Sequence, residues 1–127
     1  MDITFLTVGD VLHIHRDQVS RYGGTGGLRD IGLLEAAVAA PAAGTREGYL
    51  HDTIASMAGA YLFHTVRNHP FVDGNKRTGV VAALVFLDMN CVEFGADEAE
   101  LERLVFAVAE GSAGGDDASA FFARAIA

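Results

Sequence analysis

The sequence predicts an all-α fold: a compact bundle of about six helices around a buried central helix, in a single domain spanning residues 1–127. Three observations carry this. Apolar residues recur at i, i+3, i+4 and i+7 in successive segments. Side chains suited to N-capping stand just before those segments. No segment sustains the period-two alternation of a half-buried strand. The length of 127 residues suits one core, and half of the residues are apolar with a fifth charged, the balance of a globular chain.

Met1 to Leu6 reads as a short extended piece. Thr7-Val8-Gly9-Asp10 is a capping pattern, with a hydroxyl for the first turn and a carboxylate near the positive end of a helix. That helix runs to Tyr22 with Val8, Val11, Leu12, His15 and Val19 on one face, and Gly23-Gly24 stops it. Asp30 caps a second helix through Leu33, Leu34, Ala37 and Val38, ending before Pro41. Ala42 to Leu50 is a loop with room for a small hairpin or flap. Asp52 or Thr53 caps a third helix bearing Ile54, Met57, Ala58, Tyr61, Leu62, Thr65 and Val66, and His69-Pro70 ends it. The loop Pro70 to Gly74 leads to a fourth helix from about Asn75 to Met89. Its stretch Val80 to Leu87 is apolar nearly all round, which predicts the central, fully buried position. Asp97 with Glu100 caps a fifth helix bearing Leu101, Leu104, Val105 and Val108, which Gly111 to Gly115 breaks. Asp116 or Asp117 starts a last helix through Phe121, Phe122 and Ile126.

The net charge of −8 argues against nucleic acid and anionic membrane as partners, since both require a basic face. Charge is uneven, however. Arg67 to Arg77 holds three basic residues and one acid, while the rest of the chain holds 6 basic and 16 acidic residues. One positive spot in an acidic background fits a small anion better than a polyanion. The single Cys91 gives no disulfide framework. Met1 to Asp10 lacks the pattern of a signal peptide, and no apolar run is long enough to span a bilayer. The expected compartment is the cytoplasm.

The chemistry concentrates in His69-Pro70-Phe71-Val72-Asp73-Gly74-Asn75-Lys76-Arg77. A helix ends at His69 and another starts near Asn75, where backbone N–H groups point outward unpaired with partial positive charge. Gly74 lets a ligand approach the backbone, and Lys76 and Arg77 add full charges, so the helix start suits phosphates. Asp73 is the one carboxylate in this cationic setting. It is placed to hold Mg²⁺ beside phosphate oxygens, or to cap the helix, and the two roles are compatible. An imidazole can take a proton from an attacking hydroxyl, which makes His69 a general base candidate. A surface histidine at a helix C-terminus is the plainer reading.

The segment resembles the signature of Fic/Doc proteins, H-x-F-x-D/E-G/A-N-G/K-R. His69, Phe71, Asp73, Gly74, Asn75, Lys76 and Arg77 all match it. Tyr22-Gly23-Gly24, Gly27-Leu28-Arg29-Asp30, Gly32-Leu33-Leu34-Glu35 and Pro41 are similar to the N-terminal half of death-on-curing (Doc) toxins. The resemblance implies that His69 is the general base, that Phe71 is a buried anchor of the loop, and that Asp73 holds Mg²⁺. It implies phosphate contacts from Gly74, Asn75, Lys76 and Arg77. Typical Fic adenylyltransferases have a second Gly where this chain has Lys76. Doc-type toxins carry Lys there, although they often have Ala in place of Gly74. They bind ATP reversed and phosphorylate a threonine of translation elongation factor Tu, halting protein synthesis. The implied activity is therefore an ATP-dependent kinase; AMP transfer and a degenerate binding scaffold are the alternatives. Fic proteins with an internal brake carry S/T-x-x-x-E-G/N, and here Phe106 precedes Glu110-Gly111 in place of Ser or Thr. The resemblance implies control by a separate Phd-like antitoxin with a disordered C-terminal tail.

Outside this segment, His13 and His15 are two apart and point to different faces of their helix, so His15 is read as a core histidine and not a ligand. His64 and His69 have no zinc-hydrolase spacing. Arg46 and Tyr49 lie where family members carry a target-aligning flap, and a plain surface loop is an equal reading.

Overall fold

Capping chemistry sets most of the helix boundaries, and the computed structural model describes residues 2–126. Six α-helices occur among them: α1 (Val8–Tyr22), α2 (Ile31–Ala39), α3 (Ile54–Asn68), α4 (Asn75–Met89), α5 (Glu98–Glu110) and α6 (Gly115–Ala125). Thr7 Oγ1 accepts the N–H of Asp10, and the Asp10 carboxylate accepts that of Thr7, which closes the expected box at α1. Asp30 caps α2 through the N–H of Leu33. At α3 the cap is Thr53, which exchanges hydrogen bonds with Ser56. Asp97 caps α5 through Ala99, but Glu100 does not reach back; it pairs with Arg124 of α6 at 2.9 Å. Helix α6 starts at Gly115, and the Asp117 carboxylate accepts the N–H of Gly114.

A single turn of 3-10 helix, Ala40–Ala42, carries Pro41 at the end of α2. The following loop holds β1 (Gly44–Thr45) and β2 (Gly48–Tyr49), paired antiparallel with Gly44 opposite Tyr49. Among the described residues, the N-terminal segment forms no strand. Asn90 holds Thr4 as a strand neighbour would, giving to its carbonyl and taking from its N–H, each at 2.9 Å. Met1 and Ala127, at the ends of the segments read above, lie outside the described residues.

The central helix is α3, not α4. Met57, Ala58, Tyr61 and Leu62 have no exposed surface, and α2, α4, α5 and α6 all pack on α3. Along α4 the inner residues Ala82, Ala83, Phe86 and Leu87 are buried, but Val80, Val81, Leu84 and Val85 are only half-buried. The apolar run therefore overstates burial: Val80 and Val81 line a cleft beneath α5. The small residues of α3 make its central position possible. A Cβ on Gly59 would stand 2.8 Å from the backbone nitrogen of Ser119, so α6 lies directly against the α3 backbone there.

Candidate active site

The loop between α3 and α4 is short, and nearly every polar group of its backbone has a partner. His69 is the C-cap of α3 with φ 51° and ψ 54°, the left-handed region that a residue with a side chain seldom occupies. Its carbonyl accepts from Arg29 Nε at 2.6 Å, while Arg29 Nη2 donates to the carbonyl of Asn68 at 2.9 Å. The Pro70 carbonyl accepts the N–H groups of Arg29 and Asp30, and the N–H of Val72 donates to Gly27. The strip Gly27–Asp30 thus lies along the loop and fastens it, with Leu28 bridged to Phe71.

Phe71 is buried at 1 % exposure and stacks flat on the His15 ring, with centroids 3.7 Å apart at 4°. His15 Nε2 also contacts the carbonyl of Asp73 at 2.8 Å. The Asn75 carboxamide closes the loop from inside: it donates to Phe71 O and accepts from Phe71 N, both at 2.9 Å. Asn75 was expected to contact phosphate. Its side chain is fully engaged with Phe71, so its backbone N–H is what it can offer an anion.

Asp73 is exposed. Its carboxylate accepts the N–H of Thr25 at 3.1 Å and that of Gly74 at 2.9 Å. These two bonds, Thr25 first, hold its pKa below the usual carboxylate value, aided by Arg77 and Lys76. An ionised carboxylate with lone pairs to spare fits a hard cation. Among the described residues no three His, Cys, Asp or Glu side chains gather into a metal-holding group. Asp73 could therefore hold Mg²⁺ in company with a ligand's own oxygens, the usual arrangement beside phosphates. Gly24 stands against this carboxylate: a Cβ there would lie 2.7 Å from Asp73 Oδ2, and the backbone has φ 114°.

Gly74 is the N-cap of α4, with φ 80° and no side chain to cap the first turn. The first amide to bond back is that of Thr78, to Gly74 O, so the N–H groups of Asn75, Lys76 and Arg77 have no partner within the helix. Arg77 Nη2 donates to Gly23 O at 2.9 Å under the Tyr22 ring, and Lys76 Nζ lies 5.4 Å from the centre of the Phe106 ring. Free amides and two cations at one helix start make a cradle suited to phosphate. His69, Asp73, Gly74, Lys76 and Arg77 thus all lie in one short loop and the helix start that follows it. His15, Thr25 and Arg29 also belong to this constellation, but their partners lie about 40 to 58 residues away in sequence. Thr25 gave no sign beyond its glycine-rich stretch, and Arg29 stood in the Gly27–Asp30 segment similar to Doc toxins without a role of its own.

Comparison with known proteins agrees with this loop. Residues 5–87 match the model of the Fic/DOC family. The chain is 45 % identical over 76 residues to "Toxin Doc" of Mycolicibacterium smegmatis, a match covering 60 % of this chain and 58 % of that protein. It is 35 % identical over 102 residues to "Protein kinase doc" of Escherichia phage P1, covering 80 % of this chain and 79 % of that protein. With the motif folded as a fastened loop before a helix start, and a family match over most of the residues that build it, the chain belongs to the Fic/DOC family.

Proposed function

We propose that this protein is a Doc-type toxin that moves the γ-phosphoryl group of Mg-bound ATP onto a Thr or Ser hydroxyl of a protein. Elongation factor Tu is the first candidate acceptor, and arrest of translation and growth is the outcome. A separate Phd-like antitoxin with a disordered C-terminal tail keeps it in check, in the cytoplasm. The observation that carries the reading is the loop itself. It joins an exposed imidazole at the end of α3 to an ionised carboxylate and to the free amides of α4. The names of the two relatives, a toxin and a protein kinase, support the same class.

In this reading His69 takes the proton of the acceptor hydroxyl. The hydroxyl oxygen forms the new bond to the γ-phosphorus, the bond to the ADP oxygen breaks, and ADP departs from the cradle. The amides of Asn75, Lys76 and Arg77, with the two side-chain cations, hold the phosphate oxygens. Mg²⁺ on Asp73 would neutralise charge on the transferring group. Lys76 adds a side chain and a charge where an adenylyltransferase has glycine, which favours presentation of the terminal phosphate.

ATP labelled at either the γ- or the α-phosphate tests this, with elongation factor Tu as acceptor. The γ-label is expected on the target. Label from the α-position alone would replace the kinase with AMP transfer, and no label from either would leave a binding scaffold. Titrating Mg²⁺ against the Asp73→Ala variant tests the metal: its activity should depend far less on Mg²⁺ than that of the parent.

A further inference from the structure

The residue on which the proposed chemistry turns is held in a backbone conformation that its own sequence disfavours. His69 has φ 51° and ψ 54°, in the left-handed region where a residue with a Cβ seldom sits. It also precedes Pro70, whose ring crowds the residue before it and favours extended backbone there. Both preferences push His69 away from the observed angles, so the surrounding structure has to hold it in place.

Arg29 is placed to do this. Its Nε donates to the carbonyl of His69 at 2.6 Å, and its Nη2 donates to that of Asn68 at 2.9 Å. These carbonyls belong to the two peptide planes that flank the His69 Cα, and φ and ψ of His69 describe how those planes turn about it. A guanidinium is planar and rigid, so bonding both carbonyls at once ties the two planes to each other. Among the described residues only Arg29 donates to both. The guanidinium is itself firmly mounted. The Arg29 N–H donates to Pro70 O at 2.7 Å, and the next residue, Asp30, caps α2 and donates its own N–H to Pro70 O at 3.0 Å. Three consecutive carbonyls, those of Asn68, His69 and Pro70, thus meet this one residue.

Arg29 is exposed, and an exposed cation adds little to global stability. What it controls is local: the direction in which the Cα–Cβ bond of His69 leaves the end of α3. We infer that Arg29 is the positioning residue of the general base. Its guanidinium sets φ and ψ of His69, and with them the approach of the imidazole to the acceptor hydroxyl. The inference rests on the reading of His69 as that base. The Arg29 side chain bonds to neither Asp73 nor the start of α4, so its loss should act on transfer and not on nucleotide binding.

The test compares the full chain with its Arg29→Ala, Arg29→Lys and His69→Ala variants, using γ-labelled ATP, Mg²⁺ and elongation factor Tu, with melting temperature as the check on folding. Arg29→Ala should lower kcat roughly 10- to 100-fold with KM for ATP within about 2-fold, since displacing a reacting group by on the order of 1 Å costs about that much. Arg29→Lys keeps the charge but lacks the fork, so it should not restore kcat. In NMR spectra the backbone chemical shifts of His69, which follow φ and ψ, should move in both Arg29 variants while those of Asp73 and Asn75 hold. Parental kcat in Arg29→Ala, with transfer still lost in His69→Ala, overturns the positioning role and leaves the base in place. Parental kcat in Arg29→Lys overturns the fork and reduces Arg29 to a charge. Unmoved His69 shifts overturn the inference whatever the rates, as does a kcat that falls only in step with the folded fraction. Transfer that survives His69→Ala, or is absent from the parent, overturns the base reading and the inference with it.

Discussion

Two loops flank α3, and they are built in opposite ways. The one before it, residues 43–53, is a hairpin whose main ties are its own ladder, the Leu50 to Ala43 bond and local contacts of Thr45 and Thr53. From residue 43 to residue 50 every side chain is exposed. The loop after α3, residues 69–74, is fastened from four directions: by Arg29 at its start, by the Gly27–Asp30 strip along its length, by His15 beneath it, and by Asn75 from inside. Exposure alone does not separate them, since His69, Val72 and Asp73 are also open to solvent. The difference lies in the backbone. Group transfer requires reacting atoms held to a fraction of an ångström, and only the second loop has the ties for it. A surface that adapts to a partner has no such requirement.

The largest expected effect breaks the chemistry while sparing the ties. His69→Ala should lower transfer by ~100- to 10,000-fold, because a general base contributes about that much. The Arg29 bonds run to backbone carbonyls, so melting temperature and nucleotide affinity should stay near parental values. Normal growth arrest by a folded His69→Ala variant would refute the role.

The next breaks a tie while leaving the reacting side chains in the sequence. Asn75→Leu leaves the buried N–H and carbonyl of Phe71 without partners, which should cost about 2–5 kcal/mol. Urea denaturation measures this, and hydrogen exchange at Phe71 should accelerate more than elsewhere. A stability loss below about 0.5 kcal/mol would mean that the strip and His15 hold the loop without Asn75.

A third change probes α3, the helix between the two loops. The Tyr61 hydroxyl accepts the N–H of Leu6, and burial raises its pKa from 10.0 to about 12. The folded value lies above the unfolded one and the neutral phenol is the form the fold prefers. Its contribution to stability is therefore complete below pH 10 and lost as pH rises towards about 12. Unfolding followed against pH should steepen in that window, and Tyr61→Phe should flatten the steepening.

The smallest effect is expected at the hairpin. Replacing Thr45–Gly48 by a short glycine linker should change stability by less than about 0.5 kcal/mol and leave nucleotide binding intact. A fall in protein-target modification with unchanged nucleotide binding would give Arg46 a part in target alignment. No change at all would make the segment a plain surface loop.

Much of this was legible in the sequence. Helix starts at Thr7, Asp30, Thr53 and Asp97 follow from local capping, because a cap and its amide lie two or three residues apart. The loop motif was likewise contiguous. The choice of central helix was not legible, because apolar content reports what a helix can bury and not what surrounds it. The stretch Val80 to Leu87 of α4 is apolar nearly all round, yet it is α3 that α2, α4, α5 and α6 all pack against, with Gly59 letting α6 lie on its backbone. The stack of His15 on Phe71 and the grip of Arg29 depend on distant segments meeting, for which spacing along the chain gives no signal. His15 was read as a core histidine. It is buried as expected, and it also supports the loop.

The mounting of His69 has a consequence for how this protein fails on heating. The residue sits at the tip of the most enclosed helix, and its loop is bonded to α1 and to the lead into α2. No partial melting of those three helices can leave the chemistry running, so activity and folded fraction should decline on one curve. If the proposed transfer is its activity, a half-melted copy is an inactive copy.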